Sequence, residues 1–186
     1  MGPVRLVAVD GPAGSGKTTF AGRLVKALRA GGATVAEIHT DDLLEGWTDL
    51  ESFWPRLYDQ ILEPFARGEP ARYQCYDWVR GRFNEEWATV SVPGVLVLEG
   101  VTSSRTAGDP YRSLGVYVHA DRGLRLARGI ERDGEALRPE WLRWMDAEDR
   151  HFAGEDTAAR ADLLVDGAPT IPHDTQHEYV RLSGRL

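Results

Sequence analysis

From Gly11 to Thr18 the chain reads Gly-Pro-Ala-Gly-Ser-Gly-Lys-Thr, which meets the spacing G-x-x-x-x-G-K-[ST] in full. Each residue type in that spacing has a chemical reason. Glycines let consecutive backbone N–H groups turn inward around an anion, and a helix starting just after them adds its positive end. Gly11, Ala13, Gly14, Ser15, Gly16, Lys17, Thr18 and Thr19 therefore form a candidate cradle for a nucleoside triphosphate. Within it, Lys17 is placed to reach the β- and γ-phosphates, and the Thr18 hydroxyl is placed to ligate magnesium. A threonine-capped glycine turn would explain the glycines, but not a lysine at that one position.

Three carboxylates extend this chemistry. Asp41 and Asp42 stand in "IHTDDLLEGW", directly after an apolar run. Transfer of a phosphoryl group to an alcohol needs a carboxylate that orients the attacking hydroxyl and accepts its proton, and Asp41 is the predicted base. The alternative is an ordinary turn pair, since aspartate is common in turns. Glu99 closes "VLVLEG" in the manner of a Walker B strand, with Glu in place of the usual Asp. It is predicted to hold magnesium opposite Thr18, directly or through water. His39 reads as an ordinary strand-end residue.

Positive charge comes from a helix that Asp121 is expected to cap. Arg125, Arg128 and Arg132 fall at i, i+3 and i+7, with Leu126, Ala127 and Ile130 roughly opposite. The spacing predicts arginines that point away from the core and close over the triphosphate as a lid spanning about residues 125–145. A solvated helix face is the alternative.

These residues need a scaffold, and the apolar runs supply one. Residues 4–9, 33–38, 94–99 and 114–119 are short and β-branched, and "ADLLVDG" near residue 165 is a fifth candidate strand. Helical periodicity lies between them. Phe20, Leu24, Ala27 and Leu28 form one stripe, stopped by Gly31 and Gly32, and a second stripe runs from Leu50 to Phe65. A third helix is expected to start at Pro139 and to carry Trp141, Trp144 and Met145 as packing residues. Strands alternating with helices imply right-handed crossovers and a doubly wound parallel α/β sheet with helices on both faces. Ligands gather beyond the carboxyl ends of such strands, where Lys17, Asp41 and Glu99 lie.

Bulk properties narrow the partners. A chain of 186 residues, 42% of them apolar, suits a single domain covering 1–186. Its net charge of -7 argues against broad attraction to nucleic acid or anionic membrane. The lone Cys75 excludes an internal disulfide, and no secretion signal or long apolar run is evident, so a cytoplasmic protein is expected. "MGPVRL" fails as a myristoylation signal because Leu6 occupies the Ser/Thr position. Homo-oligomerisation stays open, as do the choice of ATP over GTP and the role of the tail 169–186. His173 and His177 in that tail match no metal-site spacing and read as surface decoration.

Taken in order, "DGPAGSGKTT", "TDDL", "YDW", "VLVLEG", "RGIERDG" and "ADLLVDG" resemble the uridine kinase-like family of P-loop kinases over most of the chain. The resemblance implies an ATP- and Mg²⁺-dependent kinase of the nucleoside/nucleotide kinase type, with a small nucleoside-like acceptor. It implies that Asp41 activates a nucleoside 5′-hydroxyl, that Tyr76 and Trp78 hold base and sugar, and that Arg128 and Arg132 are the lid arginines, with Arg125 a further substrate contact. The chain departs from the family where a base-reading His usually follows the aromatic pair: Arg80, Gly81 and Arg82 stand there. Arg80 and Arg82 have two readings, as contacts to an acidic or phosphorylated acceptor or as surface charge. Other acceptors (a nucleoside monophosphate, a sugar, a vitamin precursor) keep the same chemistry. A regulatory module that binds nucleotide without turnover is the alternative of a different class. No guanine-reading Asn-Lys-x-Asp sequence points to a GTPase switch.

Overall fold

Side chains alternate along the first strand, β1 (Arg5–Asp10), and both of its faces are apolar. Such a strand must lie in a sheet covered on both sides. Leu6 joins one buried cluster with Ile38, Leu96 and Leu98, whereas Val7 and Val9 join a second with Val97, Val116, Val118 and Val165. Phe53, Leu57, Ile61, Phe65 and Trp144 close the first cluster, and Ala21 and Val25 close the second. The computed structural model describes residues 2–182; Met1 and the last four residues of the tail lie outside the described residues.

After β1 come α1 (Lys17–Ala30), β2 (Val35–His39), the short helices α2 (Trp54–Leu57) and α3 (Glu63–Ala66), then β3 (Ala71–Asp77), β4 (Arg82–Val90) and β5 (Val95–Glu99). The chain continues through β6 (Arg112–His119), α4 (Arg122–Asp133), α5 (Arg138–Glu155), α6 (Thr157–Arg160) and β7 (Leu163–Asp166). Five strands form one parallel sheet in the order β2-β5-β1-β6-β7. This is the doubly wound sheet that the alternation of elements implies. The register sets His39 level with Glu99, Glu99 with Val9, and Val9 with Val116. The carboxyl ends of four strands therefore open on one edge, on either side of the point where the strand order reverses.

Two parts depart from expectation. The stripe from Leu50 to Phe65 is buried as predicted, but helix begins only at Trp54, and Tyr58–Leu62 widens into a π turn between α2 and α3. Pro64 supplies the reason: it has no N–H to donate and its ring crowds the carbonyl four residues earlier. The second departure is an antiparallel hairpin of β3 and β4, which the periodicity did not suggest. Its turn is held by the Asp77 carboxylate, which accepts the N–H groups of Val79 and Arg80. Among the described residues no helix is long and apolar enough to cross a membrane.

Candidate active site

The loop between β1 and α1 is shaped by glycines that only glycine can satisfy. Gly11 (φ 138°) lies so close to β6 that a Cβ would sit 2.2 Å from the Val118 carbonyl oxygen. Gly14 (φ 77°) packs on α4, where a Cβ would sit 2.7 Å from the Arg125 carbonyl oxygen. Gly11 and Ser15 are buried beneath the loop and do not line the cavity above it, and the Ser15 N–H donates to the Pro12 carbonyl oxygen. Ala13, Gly14, Gly16, Lys17, Thr18 and Thr19 do line it.

Lys17 opens α1 with only 7% of its surface exposed, and its Nζ donates to the Pro12 carbonyl oxygen at 3.1 Å. Its charge pulls down the pKa of four carboxyls, those of Asp10, Asp41, Glu99 and Glu148. One buried cation thus organises the whole floor of the site.

Glu99 shows how that floor is built. The Thr18 hydroxyl donates to Glu99 Oε1 at 3.2 Å, while His39 Nδ1 lies 2.6 Å from Oε2. Burial alone would raise the Glu99 carboxyl, but the His39 hydrogen bond, Lys17 and Thr18 outweigh it and hold it below its ordinary value. His39 moves the other way, up to about 9, chiefly through the hydrogen bond to Glu99. It is therefore a charged partner of the strand-end carboxylate, which corrects its reading as an ordinary strand-end residue. The two residues lie 60 apart in the chain and meet through the β2–β5 register.

Asp10 was not singled out in the sequence, yet it ties the cradle to the loop after β5. It is fully buried and accepts N–H donors from Gly11 (2.7 Å), Thr102 (3.0 Å) and Ser104 (2.8 Å). Burial raises its carboxyl to about 6 in spite of these donors. A carboxylate closing an otherwise apolar strand was the signal available.

Asp41 follows β2 in a short helical turn, Thr40–Asp42, which is tied down by the Thr40 hydroxyl donating to the Val101 carbonyl oxygen at 3.2 Å. Its carboxyl is open to solvent within the cavity but walled in by protein. That enclosure raises its pKa; Glu99 adds to the rise, and Lys17, Arg132 and His39 oppose it.

The hairpin brings Trp78 to the same cavity. Trp78 Nε1 donates to the Asp41 carbonyl oxygen at 3.1 Å, and its ring meets Trp47 edge-on at 5.7 Å. Tyr76 stands behind it, packed edge-on against Trp78 and Phe83, and does not line the cavity. Arg82 is exposed at a second, smaller cavity on the hairpin, beside Phe83 and Trp87. Tyr76 and Arg82 are thus not brought to the cavity, because the turn at Gly81 sends only the Trp78 end of the hairpin toward β2.

The arginines divide in the same way. Arg128 donates to the Gly14 carbonyl oxygen at 3.0 Å and to that of Gly167 at 3.2 Å, clamping α4 over the phosphate loop. Arg132 is paired with Asp133 and lies over the Trp141 ring at 5.6 Å. Arg125, in contrast, is 5% exposed and turned inward: Nη1 donates to Glu148 Oε1 at 2.6 Å and Nε to the Ala120 carbonyl oxygen. The expectations that all three arginines point away from the core and that Arg125 contacts substrate are therefore corrected. Gly129, one turn on, is the cause. A Cβ there would fall 2.5 Å from the Trp141 ring, so its absence lets α5 pack close and bury that face of α4.

Glu148 on α5 is the second residue that sequence reasoning missed, since an isolated helical glutamate usually faces water. It accepts the Ala13 N–H at 2.8 Å, the Trp144 indole N–H at 3.1 Å and Arg125, with no exposed surface. Glu148→Ala is expected to cost about 3–5 kcal/mol of stability by removing the close partner of the buried Arg125, which keeps only Asp149 at 3.9 Å. A urea midpoint shift checks this. Glu148→Gln, which keeps an acceptor for Ala13, should lose less.

Asp41, Glu99, Lys17, Thr18, Trp78, Arg128 and Arg132 all border one cavity of about 1470 Å³. That exceeds the volume usual for one drug-sized ligand and suits two ligands side by side. Among the described residues no cluster of three or more His, Cys, Asp or Glu forms a protein-only metal site.

No family model matches the chain, and no curated protein matches it either. Solved structures do. A protein described as a possible uridine kinase from Bacillus stearothermophilus is 23% identical, with a TM-score of 0.66 over 88% of this chain and 89% of that one. A protein provisionally assigned as a fructose transport system kinase, from Silicibacter sp. TM1040, is 23% identical, with a TM-score of 0.53 over 83% and 81%. D-glycerate 3-kinase from Cryptococcus neoformans is 17% identical, with a TM-score of 0.51 over 84% and 78%. The chain shares the fold of these three proteins.

Proposed function

We propose that the protein is a P-loop kinase that moves the γ-phosphoryl group of ATP to a hydroxyl of a small neutral acceptor, with a nucleoside preferred. One observation carries this reading. A single cavity joins the phosphate loop, the Asp41 carboxyl and the Arg132 side chain, with space for a nucleotide beside an acceptor. The structural likeness to proteins described as kinases supports the phosphoryl-transfer part of this reading.

In this mechanism Asp41 orients the acceptor hydroxyl and takes its proton as the new P–O bond forms, while the bond from the γ-phosphorus to the bridging oxygen breaks and ADP departs. A carboxyl raised by enclosure is a stronger base than an ordinary aspartate. Lys17 exchanges the Pro12 carbonyl for phosphate oxygens, and Arg128 and Arg132 add positive charge from α4, which acts as the lid. The Thr18 hydroxyl and Glu99 Oε1 are adjacent hard oxygen donors, and His39 orients the remaining Glu99 oxygen. Such a pair fits magnesium, which takes one or two protein oxygens and leaves its other positions to phosphates and water. When bound there, the ion offsets phosphate charge.

The acceptor end of the cavity favours a ring-bearing neutral molecule. Trp47 and Trp78 supply flat apolar surface, the carboxyls of Asp41 and Asp42 border the same cavity, and Asp133 is paired with Arg132. An acceptor that already carried phosphate would meet this acidic wall. A coupled ADP-release screen over nucleosides, nucleoside monophosphates, sugars and sugar acids tests the reading. Release is expected with a neutral nucleoside and not with its monophosphate. Tight ATP binding with no acceptor-dependent release would favour the regulatory module instead.

A further inference from the structure

We infer that the tail segment 173–180 forms a base-selecting wall for the bound nucleotide; this rests on the nucleotide reading above. The cavity leaves the phosphate loop in two directions. One leads to Asp41 and the tryptophans. The other runs between the Phe20, Arg23 and Leu24 face of α1, the turn Gly167–Pro169 after β7, and the tail. A triphosphate held at Gly14–Thr18 with its γ end toward Asp41 directs its nucleoside end along this second arm.

The tail is built into the fold. Asp166 N donates to the Val180 carbonyl oxygen at 2.9 Å, Leu182 N donates to that of Leu164 at 3.0 Å, and Val165 bridges Arg181 in antiparallel sense. The segment thus adds antiparallel pairing to the edge of a parallel sheet. The turn before it is held by Asp174, whose carboxylate accepts the Gln176 N–H and pairs with His177 Nδ1, while the Glu178 carboxylate accepts the Asp174 N–H.

Its side chains suit a heteroaromatic ring. Tyr179 meets Phe20 edge-on at 5.8 Å and keeps 51% of its surface exposed, so an aromatic pair with an open face borders the cavity. Gln176 and His177 stand on the same wall and offer amide and imidazole groups to the polar edge of a base. A tail that only shielded the sheet edge would bury its aromatic ring and leave its polar groups outside the cavity.

Equilibrium binding of ATP and of inorganic tripolyphosphate to the full chain tests this, because only ATP has a base. In the unmodified protein ATP should bind more tightly than tripolyphosphate. The pairing with β7 makes truncation a risk to folding, so the variants are Tyr179→Ala and the double substitution Gln176→Ala with His177→Ala, each checked by thermal melting. Each is expected to lower ATP affinity by about tenfold and to leave tripolyphosphate affinity unchanged. An unaltered ratio of the two affinities, or an equal loss of both, overturns the wall while leaving the phosphate loop in place. Failure of the unmodified protein to bind either compound would overturn the nucleotide reading, and the wall with it.

Discussion

Lys17→Ala is expected to lower acceptor-dependent ADP release by roughly 10³-fold or more, with the protein still folded at the assay temperature. The catalytic loss follows from position. Lys17 is the cation at the base of the cradle, and its present partner is a neutral carbonyl that it can exchange for phosphate. The substitution removes a buried charge along with its cost of desolvation, but Asp10, Asp41, Glu99 and Glu148 lose a favourable neighbour. Some fall in melting temperature is therefore expected, while the loop stays anchored through Asp10 and Glu148. A second signature accompanies it. Lys17 lowers the pKa of Asp41, so without the lysine that carboxyl should titrate at higher pH. Steady-state turnover beside a melting curve separates lost chemistry from lost fold. Turnover within tenfold of the unmodified protein would falsify the assignment of Lys17.

Asp41→Asn should lower turnover by about 10²- to 10⁴-fold while ATP affinity changes little, because an amide keeps the shape but takes no proton. The pH dependence gives an independent check. A general base works ionised, and enclosure raises the Asp41 pKa, so kcat/KM should fall as pH drops through a limb lying above the range of an ordinary aspartate. In Asp41→Asn that limb should vanish. A limb that persists in the variant would assign the titration to another group. Asp10, raised to about 6, is the one to examine next.

The contrast between Trp78 and Tyr76 shows where local information ends. Both aromatics stand in one short motif that resembles a substrate-holding segment, yet only Trp78 reaches the cavity. Their separation depends on the hairpin register, which is set by pairing between β3 and β4 and by the turn at Gly81. The three arginines of α4 make the same point. Helical spacing put them on one stripe, but Gly129 against Trp141 decided that Arg125 would be buried.

By itself, the sequence determined the glycine-rich loop between the first strand and helix, the parallel strands and the carboxylates at their ends. Each of these is encoded within a few residues: backbone conformations open to glycine, β-branched runs apolar on both faces, and a rule that strand ends face the ligand. Only the tertiary structure decided which charges work together. His39 and Glu99 are 60 residues apart, Asp10 and Ser104 are 94 apart, and Ala13 and Glu148 are 135 apart. A charged side chain has no preferred direction of its own; its partner supplies one, and here the partners come from distant strands and helices that meet only once both faces of the sheet are packed.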